Sequence, residues 1–146
     1  MRILFITLVA WLATATVASA ALPQEADGNR LLVGRWTWTR PDVACTEVYD
    51  YRADGTYSAL SGAEKTDSRY TIAAKPTAQG FYRLDAQVVK DYGGQDCAQS
   101  SSDDTGLSFT NYLLFSPSGR QYWACYSESK DDCFGPLNRL DAAKTK

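Results

Sequence analysis

Hydrophobic and polar residues alternate along most of the chain, which is the pattern of half-buried β-strands. In the first such segment, 34–39, Trp36 and Trp38 fall on one face. Turn residues separate the segments, as at Asp54-Gly55, because glycine accepts the positive φ that tight hairpin turns require. Further strands are predicted at 45–52, 56–60, 69–73, 81–90, 109–115, 120–126 and 137–140.

About eight antiparallel strands joined mainly by hairpins leave two exposed sheet edges unless the sheet closes on itself. We therefore predict an all-β fold, an up-and-down antiparallel barrel, with a β-sandwich as the alternative. No segment carries an apolar stripe at helical spacing over three turns. Only residues 21–32 are compatible with a short helical piece.

The first twenty residues have the form of a secretory signal peptide. Arg2 precedes an apolar run over 3–12, and the small residues Ala18-Ser19-Ala20 follow. The run is too short to cross a hydrocarbon core of about 30 Å as a helix. We therefore predict cleavage after Ala20 and a secreted or periplasmic protein without a membrane anchor.

The exported part of the chain is long enough for one domain and too short for two. The formal net charge of the whole chain is −2. This mildly acidic balance argues against nucleic acid as a partner, because phosphate binding needs a clustered positive field, and it suits a basic protein partner. We predict a monomer with a flexible N-terminus over 21–30, one barrel domain over 31–141 and a disordered tail over 142–146.

The chain contains four cysteines. An even number in a small exported domain predicts two disulfides. Cys125 and Cys133 flank a polar stretch that is typical of a loop between two strands, so they can meet across its base. We predict the pair Cys125–Cys133 and, by elimination, Cys45–Cys97; the two other pairings are the alternatives.

The sequence lacks the common catalytic groups. It has no histidine, which removes the commonest general base and the commonest metal ligand. Oxidised cysteines supply neither a thiolate nor a zinc site. Neither a phosphate-binding glycine loop nor a Gly-x-Ser-x-Gly motif is present. We therefore predict a protein that is not an enzyme and that uses no cofactor or metal.

Candidate ligand-binding residues are aromatic, with one carboxylate. Glu47 shares a strand face with Tyr49 and Tyr51. Either this face points into an aromatic interior, where Glu47 would anchor a ligand, or it faces solvent while Thr46 and Val48 face inward. Tyrosine hydroxyls would orient a ligand by hydrogen bonds. The full candidate set is Trp38, Glu47, Tyr49, Tyr51, Tyr70, Tyr82 and Tyr112.

Two short motifs resemble the opening of bacterial lipocalin-like (calycin-type) domains. Gly34-x-Trp36 resembles the motif that begins their barrel, and Tyr-Arg-Ala-Asp-Gly-Thr, from Tyr51 to Thr56, resembles their first hairpin. The resemblance implies that Trp36 fills the barrel floor and that a late arginine, here Arg139, packs over it. It also implies our first functional hypothesis, the binding of a small apolar or amphipathic molecule in the barrel mouth.

A narrower motif, Ser-Gly-Arg-Gln-Tyr, is similar to the Ser-Gly-x-x-Tyr loop of membrane-bound and periplasmic inhibitors of C-type lysozyme. The resemblance implies that an exposed loop enters an enzyme's active-site cleft. The second hypothesis is therefore an inhibitor or immunity-type protein that neutralises an enzyme through exposed loops, at 117–120 or 126–132. The residues of the possible inhibitor loop are Ser118, Gly119, Arg120 and Tyr122.

The two hypotheses predict different interiors. A ligand binder needs a cavity of about 300 Å³ or more, here lined by Trp38 and the candidate tyrosines. An inhibitor needs a filled core and a rigid, protruding loop.

Overall fold

A computed structural model describes residues 26–140 and shows a closed antiparallel β-barrel. Each strand pairs with the next one along the chain, and β1 also pairs with β8 to close the barrel. The predicted barrel is confirmed, whereas the predicted signal peptide and the tail over 142–146 lie outside the described residues. The strands are β1 (Gly34–Thr39), β2 (Thr46–Tyr51), β3 (Thr56–Ser61), β4 (Glu64–Ile72), β5 (Tyr82–Asp91), β6 (Ser108–Phe115), β7 (Gln121–Cys125) and β8 (Cys133–Leu140).

Strand alternation places one face of every strand in the interior. On β1 the inward residues include Trp36, which has no exposed surface, and on β6 they include Leu113, which is 1% exposed. Tyr112 precedes Leu113 and therefore faces outward, so its predicted place in an interior cavity is wrong. The inward aromatic and aliphatic side chains form one continuous core, whose largest members are Trp36, Tyr51, Tyr57, Tyr70, Tyr82, Leu84, Leu113, Tyr122 and Leu137.

Two strands are longer than their patterns predicted. β4 begins at Glu64 rather than at residue 69, because its first half is polar on both faces and its inward residues there are Thr66 and Ser68. β8 begins at Cys133 rather than at residue 137 and continues through Gly135-Pro136. A register shift between β7 and β8 accommodates the proline, which cannot donate to the ladder.

A short helix, α1 (Gly28–Leu32), closes the end of the barrel at which β1 begins. The Asp27 carboxylate caps it by accepting from the backbone N–H groups of Asn29 and Arg30. At Gly28 a Cβ atom would collide with the carbonyl oxygen of Ala73. This helix lies within 21–32, where the sequence is compatible with a short helical piece, and its first three residues fall in the segment 21–30, which was expected to be flexible.

The barrel floor is built from Trp36 and Arg139. The Trp36 indole N–H donates to the carbonyl of Leu32 at 2.7 Å, and the Arg139 guanidinium lies 4.2 Å from the Trp36 ring. Arg139 also donates to the carbonyl oxygens of Leu31 and Val33. The contact between Arg139 and Trp36 agrees with the position that the lipocalin-like resemblance implied for this arginine.

The disulfides are Cys45–Cys97 and Cys125–Cys133, as predicted. Both lie at the barrel end opposite α1, which we call the loop end; the end closed by α1 is the helix end. The disulfides indicate an oxidising compartment. Within residues 26–140, no helix has the length and apolar composition needed to span a bilayer. The loop end consists of the connections 40–45, 62–63, 92–107 and 126–132.

Candidate functional site

Glu47 is a carboxylate inside the barrel, close to the loop end. Its side chain belongs to the inward face of β2, and the residue is only 9% exposed, whereas Thr46 is exposed. The Tyr49 hydroxyl donates to Glu47 Oε2 at 2.5 Å, and the Ser61 hydroxyl donates to Oε1 at 3.1 Å. The backbone N–H of Cys97 donates to Ser61 Oγ at 3.0 Å. Of the two orientations that the sequence left open, the inward one is therefore observed.

Among residues 26–140, no cationic group forms a salt bridge with the Glu47 carboxylate. The two salt bridges found within residues 26–140 are Arg40–Asp42 and Arg83–Asp85. Arg40 is the basic residue near the site, but its guanidinium lies 2.7 Å from the Asp42 carboxylate. The hydrogen bonds that Arg40 donates to the Asp42 carboxylate raise the pKa of Arg40, and the charge of Glu47 adds a smaller contribution. A buried carboxylate held only by neutral hydroxyls is costly and marks a candidate functional group.

Three tyrosines in the barrel interior have strongly perturbed pKa values. Burial raises the pKa of Tyr49, Tyr51 and Tyr122 well above the ordinary tyrosine value. The negative charge of Glu47 raises the pKa of Tyr49 further, because ionised Tyr49 would place two negative charges side by side. These hydroxyls are therefore hydrogen-bond donors, not bases, at neutral pH.

The raised pKa values of Tyr49, Tyr51 and Tyr122 predict alkaline destabilisation. The folded state keeps these hydroxyls protonated, whereas the unfolded chain ionises them at about pH 10. The free energy of unfolding is therefore expected to fall as pH rises above about 10. Tyrosinate absorbance and circular dichroism should be followed together. Ionisation of all tyrosines while the barrel signal is unchanged would contradict the burial of these three.

An aromatic row lies at the loop end next to Glu47. Trp38 is directly opposite Glu47 in the β1–β2 register, and its ring centroid is 4.9 Å from that of Phe134. The Phe134 ring lies 6.0 Å from that of Tyr126, which is 68% exposed. Sequence reasoning missed Phe134, because it precedes Gly135-Pro136, where a break in the strand was expected.

The interior contains a cavity of about 90 Å³ below the aromatic row. Tyr49 contributes to its wall and also donates to Glu47. The volume is well below the roughly 300 Å³ of an ordinary small-molecule pocket. Its lining residues are Tyr49, Tyr51, Tyr57, Leu84, Phe109, Asn111, Leu113, Tyr122, Ala124, Phe134 and Leu137.

Two further candidate tyrosines, Tyr70 and Tyr82, form hydrogen bonds at the helix end instead. The Tyr70 hydroxyl donates to the carbonyl of Arg52 at 2.7 Å, and the Tyr82 hydroxyl donates to the carbonyl of Ala26 at 2.8 Å. Both side chains hold segments at the floor of the barrel. The structure therefore brings together Trp38, Glu47, Tyr49 and Tyr51, but it does not place Tyr70 and Tyr82 on the cavity wall.

The predicted inhibitor loop is a tight turn at the helix end. Ser118 and Arg120 are exposed, whereas the Gly119 carbonyl accepts from the Arg139 guanidinium at 3.2 Å. Tyr122 is 1% exposed and packs edge-on against Trp36 at 4.7 Å between ring centroids. Tyr122 is thus a core residue, so its expected place in a loop that contacts an enzyme is wrong.

The connection 126–132 at the loop end is held at its base by a disulfide and a backbone hydrogen bond. The Cys125–Cys133 disulfide closes its base, and the backbone N–H of Tyr126 donates to the carbonyl of Asp132 at 2.9 Å. The Ser129 hydroxyl caps a single 3₁₀ turn by accepting from the N–H of Asp131. Glu128, Asp131 and Asp132 are exposed on this connection.

Charge is distributed unequally between the two ends. The connections of the loop end carry two basic residues, Arg40 and Lys130, against seven acidic ones. The turns of the helix end, at 52–55, 73–81 and 116–120, carry three basic residues and one acidic residue. A negative field at one end attracts cations to that end. The seven acidic residues are Asp42, Asp96, Asp103, Asp104, Glu128, Asp131 and Asp132.

No group of three potential metal-ligating side chains is found in the described part of the chain. Comparison of the chain with protein-family models, curated proteins and solved structures gave no significant match. The lipocalin-like and lysozyme-inhibitor resemblances therefore remain hypotheses that rest on the motifs quoted above.

Proposed function

We propose that the protein is an exported, non-enzymatic inhibitor that neutralises a basic enzyme through its loop end. The observation that carries this proposal is the excess of seven acidic over two basic residues on four neighbouring connections. Such a field accelerates encounter with a positively charged protein and selects against acidic ones. Export through a cleaved N-terminal signal peptide is part of the proposal, and the two disulfides support it.

The filled interior favours this proposal over our first hypothesis. A cavity of about 90 Å³ has no room for an apolar ligand of ordinary size, because such ligands occupy pockets of about 300 Å³ or more. Large side chains that include Trp36 and Tyr122 occupy the space that a lipid-like ligand would need. The larger binding surface is therefore the exterior of the barrel.

Covalent bracing suits the loop end to protein binding. The disulfide Cys45–Cys97 joins connection 40–45 to the long connection 92–107, and Cys125–Cys133 closes connection 126–132. Connections that are already ordered lose little conformational entropy when a partner binds. Tyr126, 68% exposed among these acidic residues, is of a type that often dominates binding energy.

A basic C-type lysozyme is the probe enzyme for this proposal. We expect the wild-type protein to bind it and to inhibit its hydrolysis of cell walls, with affinity that falls as salt is added. The variant Glu128→Lys/Asp131→Lys reverses two exposed charges whose carboxylates make no hydrogen bond among the described residues. It should weaken binding by about tenfold or more.

The control variant Asp50→Lys/Asp54→Lys changes the net charge by the same amount, with one substitution on the barrel side and one at the helix end. Circular dichroism checks that it folds, because Asp54 accepts hydrogen bonds from Thr56. It should alter affinity less than about threefold, because charges far from an interface are screened. Equal weakening by both variants would mean that net charge, and not the loop end, governs binding. Absence of lysozyme binding and inhibition by the folded wild-type protein would contradict the proposed function.

A further inference from the structure

The buried position of Glu47 needs an explanation that protein binding at the loop end does not give. Glu47 is 9% exposed, and the described residues supply two hydroxyl groups but no salt bridge to its carboxylate. An unpaired buried carboxylate lowers stability unless a cation or a proton compensates its charge. A glutamine in its place could still form two hydrogen bonds without the charge, accepting one through its carbonyl oxygen and donating the other through its amide nitrogen.

The cavity supplies a place for such a cation. Tyr49 joins the two features, because its ring lines the cavity while its hydroxyl lies 2.5 Å from Glu47 Oε2. Six of the lining residues are aromatic, and the faces of aromatic rings attract cations, quaternary ammonium groups in particular. These six are Tyr49, Tyr51, Tyr57, Phe109, Tyr122 and Phe134.

We propose that the cavity and Glu47 together form a binding site for a small organic cation that carries an alkylated ammonium group. The aromatic walls hold the alkyl groups, and the Glu47 carboxylate balances the charge. The site lies inside the barrel and does not depend on the proposed inhibition of an enzyme.

The cavity volume limits the size of the cation. A cavity of about 150 Å³ is known to hold benzene, so by the same ratio about 90 Å³ holds a group of roughly four non-hydrogen atoms. A trimethylammonium head fits this limit. A longer ligand would place its remaining atoms between Trp38, Phe134 and Tyr126, whose rings extend from the cavity to the surface.

The surroundings favour entry of a cation from the loop end. The acidic connections raise the local concentration of positive ions near the mouth. The positive charge of the Arg40 guanidinium would repel a cation. However, this group is paired with Asp42, and it also donates to the carbonyl of Cys97 at 3.4 Å. The mouth therefore keeps a net negative charge around the cavity.

A purely structural role is the competing explanation for Glu47. In that case the chain of contacts from Tyr49 through Glu47 and Ser61 to the Cys97 N–H only holds connection 92–107 in place. A stability measurement does not separate the two roles, because the same hydrogen bonds are formed in both. Only the binding role predicts selective affinity for a cation.

The test compares choline with its uncharged isostere 3,3-dimethyl-1-butanol, which has the same shape. Binding is measured by NMR titration of the full exported protein, from the shifts of the Trp38, Phe134 and Tyr49 signals. We expect choline to bind about tenfold or more tightly than the isostere, because charge and not shape is recognised. Glu47→Gln should reduce the choline preference to less than about threefold.

Glu64→Gln is the matched control, since it removes one carboxylate near the loop end that, among the described residues, makes no hydrogen bond to a residue of the cavity wall. It should leave the choline preference unchanged within about twofold. The proposal is overturned if the isostere binds as tightly as choline, or if neither shifts these signals at about 20 mM. The wild-type comparison alone decides the matter if Glu47→Gln fails to fold. A failure of the protein to inhibit lysozyme would contradict the proposed function but would leave the choline comparison valid.

Discussion

Replacing Trp36 with alanine should lower the free energy of unfolding by about 3–5 kcal/mol, the range for a fully buried tryptophan. Trp36 has no exposed surface. Its indole N–H donates to the Leu32 carbonyl, its face receives the Arg139 guanidinium, and its edge meets Tyr122. Alanine would remove all three contacts and leave a cavity at the floor. Chemical denaturation followed by circular dichroism measures the loss.

Trp123→Ala is the matched control. Trp123 lies between the inward residues Tyr122 and Ala124 on β7, so its ring faces outward, beside Leu114. Its replacement should cost less than that of Trp36, because Trp123 is half-buried on the outer face and makes none of the three floor contacts. A loss below about 1 kcal/mol for Trp36→Ala would mean that Trp36 is not part of the core.

Removing the Cys45–Cys97 disulfide, in the variant Cys45→Ser/Cys97→Ser, should cost about 4 kcal/mol. The two cysteines are 52 residues apart, so the bond strongly restricts the unfolded chain. The corresponding change at Cys125 and Cys133, which are 8 residues apart, should cost about 2.5 kcal/mol. Denaturant titration of both double variants against the wild type tests the order of the two losses.

Thiol titration is the control for the two cysteine variants. The native wild-type protein should release no free thiol, since all four cysteines are paired. Far-UV circular dichroism should show that both variants keep the barrel. Equal losses from the two variants, or a larger loss from the shorter loop, would show that the restriction of the unfolded chain does not determine the contribution of these bonds.

The barrel could be predicted from the sequence because strand period and turn residues are local signals. Trp36 and Trp38 alternate with threonines, and Asp54-Gly55 marks a hairpin. β4 was predicted too short because its buried residues Thr66 and Ser68 are polar, which hides the inward face. Tyr112 was assigned to the wrong face because it lies in the apolar run 109–115, where both faces are hydrophobic and no alternation is visible.

The site was only partly predictable. Glu47, Tyr49 and Tyr51 occupy alternate positions of one strand and therefore lie on the same face. Which of the two faces is buried depends on the whole barrel. The hydrogen bonds of Ser61, from the Cys97 N–H and to Glu47, join residues that are 36 and 14 positions apart. No local pattern encodes such contacts. Charge segregation was also hidden, because the acidic connections are dispersed in sequence and meet only when the barrel closes.

The two ends of this barrel are maintained by separate means. The helix end depends on α1, Trp36 and Arg139, whereas the connections at the opposite end are secured by the two covalent bonds. Changes of length or composition in residues 98–104 or 127–131 therefore leave the floor untouched. A randomised library in these two segments would retain a folded scaffold and offer a starting point for engineered binders with new specificities.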